Sequence, residues 1–139
     1  MPFIPAVIKW INTKRLSQID LFRKYPVETQ QEVLTRLVSF SKNTAWGTQH
    51  GYPDIATHSQ FCRNLPLQDY NDLIPYVERL RAGEKNLLWP GGVKWFAKSS
   101  GTTSSKSKFI PITEQSLERT HYRGAKDTLI LYTATNPAS

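Results

Sequence analysis

Residues 93–112 read Val-Lys-Trp-Phe-Ala-Lys-Ser-Ser-Gly-Thr-Thr-Ser-Ser-Lys-Ser-Lys-Phe-Ile-Pro-Ile, and this stretch decides the fold. Its two ends are β-branched and aromatic: residues 93–97 predict one short strand, and Phe109, Ile110, Pro111 and Ile112 predict a second. Between them, seven of the ten residues from Ser99 to Lys108 carry hydroxyls, two are Lys and one is Gly101. Such a loop offers backbone amides, small hydroxyl donors and flexible cations, the groups that polyphosphate oxygens need. Composition alone favours a ligand-free Ser/Thr linker, so the decision rests on pattern.

Two phosphate motifs fail. A Walker A loop requires Gly, four residues, then Gly-Lys-Ser/Thr opening a helix. Here the fifth residue after Gly101 is Lys106, and the chain then runs into the strand candidate. A dinucleotide Gly-x-Gly-x-x-Gly is absent because Gly101 has no glycine nearby.

The pattern before Pro90-Gly91-Gly92 is helical. Ile8, Ile11, Leu16, Ile19 and Leu21 or Phe22 recur loosely over residues 2–24, ending at Pro26. Residues 27–42 place Val33, Leu34, Leu37 and Val38 on one stripe of an amphipathic helix. Residues 43–58 are punctuated by Trp46-Gly47, His50-Gly51-Tyr52 and Pro53-Asp54 and predict a loop. A short helix follows from His58 to Asn64. Tyr70, Leu73, Val77 and Leu80 then mark a firmer one, with Asp69 or Asn71 as its cap, Pro75 near its first turn and Gly83 as terminator. After the second strand, Thr113 caps a final helix whose inner side would be Leu117, His121, Ala125, Thr128, Leu129 and Tyr132. The fold class is mixed α/β, helices over residues 1–90 and strand, loop, strand and helix over 93–133. Two strands make a marginal hairpin unless something covers them, so the sheet reads as incomplete.

The chain has 139 residues, enough for a core without staples, and Cys62 is its only cysteine. No apolar run approaches the roughly 20 residues of a membrane span. The amino terminus has no basic stretch ahead of an apolar run, so a cytoplasmic protein is expected. The net charge of +7 is dispersed: residues 1–42 hold seven basic and three acidic side chains, 43–90 four and five, and 91–139 seven and three. That reads as solvated helix faces rather than a nucleic-acid stripe. His50, His58 and His121 lack ligand spacing for a metal. Cys62 reads as a small buried side chain, His121 as a core or groove histidine, and Trp10, Trp46, Trp89 and Trp95 as packing anchors.

Phe96-Ala97-Lys98-Ser99-Ser100-Gly101-Thr102-Thr103, followed by Lys108 and Ile110-Pro111, resembles the phosphate-binding signature of acyl-adenylate-forming enzymes. The doubled serine and the Lys-x-Ile-Pro ending are similar to the auxin-responsive family of acyl acid amido synthetases. The flanks agree: Asp69-Tyr70-Asn71-Asp72-Leu73-Ile74-Pro75-Tyr76-Val77-Glu78-Arg79, Gly83-Glu84, Leu88-Trp89-Pro90-Gly91, and His121-Tyr122-Arg123-Gly124 with Lys126-Asp127. The family includes plant enzymes and bacterial relatives, and a bacterial member is the expectation.

The resemblance implies the amino-terminal segment, residues 1–139, of the large adenylation domain of an ATP-dependent ligase. Such an enzyme adenylates a carboxylic acid and passes the acyl group to an amine such as an amino acid, with Mg²⁺ sharing the pyrophosphate charge. It also implies that Ser99, Ser100, Thr102 and Thr103 donate hydroxyls, that Gly101 lets the backbone approach the phosphates, and that Lys108 is the countercharge. Lys106 has no counterpart and reads as solvated. Where many members have a second glycine this chain has Ser105, which lowers backbone freedom but can donate twice. The segment alone is expected to be inactive. The alternative is a non-enzymatic basic helical module that binds an acidic partner or nucleic acid.

Overall fold

The computed structural model describes residues 3–100 and 107–136. Gly101, Thr102, Thr103, Ser105 and Lys106 lie outside the described residues. The structure is mostly helical, with one two-stranded antiparallel sheet. The chain divides into two compact units: Gln31–Thr113, and Met1–Gln30 with Glu114–Ser139.

In the first of these, helix α2 (Pro26–Ser41), which enters the unit at Gln31, leads into the turn-rich stretch. A loop is expected there, but the structure has helix α3 (Ala45–Gln49) and a 3-10 turn at Tyr52–Asp54. The cause is local. The Thr44 hydroxyl, buried with the residue 1% exposed, accepts the Gly47 amide at 3.0 Å and donates to the Ser41 carbonyl at 2.7 Å. The free amides of Ala45 and Trp46 donate to the carbonyls of Asn86 and Leu87 at 2.9 and 3.0 Å. Gly47 is therefore not a turn residue: a Cβ there would lie 2.2 Å from the Ser41 carbonyl oxygen.

Helix α4 (His58–Asn64) starts on a capping box between Thr57 and Gln60, and α5 (Tyr70–Arg81) on one between Asp69 and Asp72. Pro75 is the sixth residue of α5, beyond the first turn that the sequence suggests for it, so the Asn71 carbonyl has no helical donor. Gly83 ends the helix at φ 93°, with Glu84 donating to Arg79 and Gly83 to Leu80. Among the described residues the buried apolar side chains are Val38, Trp46, Ile55, Val77, Leu80 and Leu87. All belong to this unit, so its core joins α2, α3, α5 and the 86–91 loop. Of the tryptophans, Trp46 stacks on His50 and Trp89 meets Phe40, which fits packing anchors; Trp10 and Trp95 are exposed.

Strands β1 (Trp95–Lys98) and β2 (Phe109–Ile112) pair with Lys98 opposite Phe109 and Phe96 opposite Pro111. Strand β1 begins two residues later than the apolar run suggests.

In the other unit, α1 (Phe3–Lys24) packs against α7 (Arg123–Thr135). Arg15 and Asp127 join them with two bonds of 2.7 Å. The final helical run begins at α6 (Glu114–Ser116), immediately after Thr113, and passes through a π-helical segment, Leu117–Tyr122, before α7. That segment breaks the expected inner side, because a π turn adds a residue and rotates the rest of the helix. His121, Ala125, Thr128, Leu129 and Tyr132 are exposed; Asp127 and Ile130 are half-buried instead. No described helix is long and apolar enough to cross a membrane.

Candidate functional site

Of the six residues picked out for the phosphate loop, Ser99, Ser100 and Lys108 are described. Ser99 and Lys108 close the neck of the loop. The Ser99 amide donates to the Lys108 carbonyl at 3.0 Å, and the Lys108 amide donates to the Ser99 hydroxyl at 3.1 Å. A hydroxyl that accepts still has its own proton to donate. Ser100 and the Lys108 side chain are exposed at the same end of the hairpin.

The opposite edge of β2 is held by α5. The Tyr70 hydroxyl accepts the Phe109 amide at 2.8 Å and donates to the Phe109 carbonyl at 3.1 Å, as a neighbouring strand would. Main-chain groups of an antiparallel strand alternate between edges, so Pro111 shares this outward edge, where its missing N–H costs the β1 ladder nothing. The contact also explains how a two-stranded hairpin is held: α5 covers it.

Charges gather at this end. The Lys108 ammonium lies 5.2 Å from the Tyr70 ring centroid, and the Arg81 guanidinium 4.1 Å from that of Phe109. Amides of Asp72 and Asn71 hold the Asp69 carboxyl below its usual range, with a smaller contribution from the charge of Lys108. Tyr70 and Arg81 are not legible in the sequence as partners of the loop. Tyr70 stands in a recognisable stretch, but nothing in its spacing says that it meets a strand about 40 residues later.

The described donors, the Ser99 and Ser100 hydroxyls and the Lys108 ammonium, suit anionic oxygens rather than a cation. Among the described residues no group of three or more His, Cys, Asp or Glu comes together. Cys62 corrects its expectation: it is exposed, and His58, one turn earlier on α4, brings Nε2 to 3.5 Å from its Sγ. The i, i+4 spacing of the two residues on a helix is the signal that could have shown it. His121 is likewise exposed, against Tyr122.

The GH3 family N-terminal domain matches residues 15–137. Among curated relatives, the jasmonoyl-L-amino acid synthetase JAR4 of Nicotiana attenuata is 26% identical over 106 residues, 76% of this chain and 18% of the relative. The indole-3-acetic acid-amido synthetase GH3.2 of Arabidopsis thaliana is 26% identical over 109 residues, 78% of this chain and 20% of the relative. The indole-3-acetic acid-amido synthetase GH3.8 of Oryza sativa subsp. indica is 26% identical over 115 residues, 82% and 19%. The chain thus spans about a fifth of the length of the curated relatives it matches. A family match over nearly the whole chain, together with the loop signature in its sequence, places this protein in the GH3 family, in its amino-terminal domain.

Proposed function

We propose that this chain is the amino-terminal segment of the adenylation domain of an acyl acid amido synthetase and supplies its ATP phosphate-binding loop. The whole enzyme would activate a carboxylic acid as an acyl-adenylate and transfer the acyl group to an amino acid or other amine. The observation that carries the reading is the closed neck, where Ser99 and Lys108 are tied to each other at the two ends of a loop whose sequence is a polyphosphate donor set.

In this reading Ser99 and Ser100 offer hydroxyls from one side of the loop mouth and Lys108 offers charge from the other. Gly101, Thr102 and Thr103 enter on sequence alone, as residues of the loop between them. With the backbone of Ser99 and Lys108 fixed before the nucleotide arrives, their side chains reorganise less to stabilise the leaving pyrophosphate. Mg²⁺, which keeps several waters and favours phosphate oxygens, would arrive with the nucleotide. The relatives' names include jasmonoyl-amino acid and indole-3-acetic acid-amido synthetases, which supports a carboxylic acid and an amino acid as the substrate classes.

Amide chemical shifts followed during titration with ATP and Mg²⁺ test the proposal. It expects changes concentrated at residues 99–108. Silence there with strong changes on the basic helices when nucleic acid is added would instead support an interaction module.

A further inference from the structure

Tyr70 is the first residue of α5, and the Asp69–Asp72 capping box fixes its backbone. Its hydroxyl takes both main-chain groups of Phe109, and its ring lies under the Lys108 ammonium. Lys108 is therefore fixed from two directions: Ser99 holds its own amide and carbonyl, and Tyr70 holds the next residue. A flexible lysine costs entropy to immobilise on a ligand, and a fixed backbone lowers that cost by limiting where the ammonium can go. The ring contact is weak, on the order of 0.5–1 kcal/mol at an exposed site, so an arriving polyphosphate can draw the ammonium away.

We propose that Tyr70 is a positioning residue for the polyphosphate site, acting through Lys108: its hydroxyl holds Phe109 so that the Lys108 ammonium is presented to the phosphate oxygens. The assignment rests on the phosphate-loop reading above and adds to it a residue outside the loop.

The test is a double-mutant cycle on the 139-residue chain, read as affinity for inorganic tripolyphosphate by calorimetry. Tyr70→Phe keeps the ring and the cation contact and removes both hydrogen bonds. It should weaken binding about fivefold, the equivalent of one net hydrogen bond, and should speed hydrogen exchange at the Phe109 amide. Exchange at Val77 and Leu87 reports whether the core is intact. In a Lys108→Ala background the same substitution should change affinity by less than about twofold, because the group it positions is gone. Unchanged affinity on Tyr70→Phe would overturn the assignment, as would an equal loss in both backgrounds, which is the mark of a merely structural role. Absence of tripolyphosphate binding by the unsubstituted chain would overturn the phosphate-loop reading itself, a result distinct from binding that is indifferent to Tyr70.

Discussion

The guanidinium of Arg81 lies 4.1 Å from the centre of the Phe109 ring, so the last residue of α5 covers the first residue of β2. Arg81 is held in turn by Glu78 at 3.0 Å. Removing the stack with Arg81→Ala should cost about 0.5–1 kcal/mol in urea unfolding. Arg81→Lys should recover only part of that, since an ammonium does not stack as a planar guanidinium does. Equal stability of all three proteins would show that the hairpin is not held this way.

Gly47 has the least room for a side chain of the described glycines. With the Ser41 carbonyl 2.2 Å from where a Cβ would stand, Gly47→Ala must push backbone apart rather than turn a side chain. The expected loss is about 2–3 kcal/mol, read by denaturant unfolding followed through Trp46 fluorescence. A neutral substitution would mean that α3 is not seated as described.

The pair of Arg15 and Asp127 makes the α1–α7 unit sensitive to acid. The Arg15 hydrogen bonds hold the Asp127 carboxyl below its usual range, and Arg15 is raised for the same reason. A depressed carboxyl stabilises fully above its unfolded value of 3.8 and loses that contribution as pH falls through the lower folded value. Arg15, raised by the same partner, stays charged throughout the neutral and acid range, so it adds no change there. Amide protection in α1 and α7 should therefore fall below about pH 4. Asp127→Asn should reduce it at neutral pH by about 2 kcal/mol and flatten that part of the acid response. An unchanged acid profile in the variant would remove the pair from the account.

Helices are legible where capping and periodicity act within a few residues. Asp69 with Asp72 and Gly83 at positive φ bound α5 as their residue types suggest. The illegible part is tertiary. Helix α3 depends on the carbonyls of Asn86 and Leu87, about 40 residues away, so its Trp-Gly pair reads as a turn until that loop is in place. The final helix departs from its expected face for a different reason: the π segment at Leu117–Tyr122 defeats a 3.6-residue period. The hydroxyls and lysine of the candidate site are visible as composition. Tyr70, which ties the loop exit to α5, is visible only in space.

Because the chain spans about a fifth of its curated relatives, the 139-residue protein by itself should show no carboxylate-dependent exchange of pyrophosphate into ATP. Radiolabel exchange with a panel of carboxylic acids checks this. Exchange above background, dependent on an acid, would mean that the segment holds a complete adenylation site.

In the proposed function the loop between the strands binds the phosphates of ATP with Lys108 as countercharge. Calorimetric titration of Mg-ATP into the unsubstituted chain, Lys108→Ala and Lys106→Ala tests it most directly. The account predicts about a 30-fold loss for Lys108→Ala, the equivalent of one charge-assisted hydrogen bond of about 2 kcal/mol, and less than about a twofold change for Lys106→Ala, whose lysine is read as solvated and so short of a single hydrogen bond. Equal affinity in Lys108→Ala and the unsubstituted chain would contradict it.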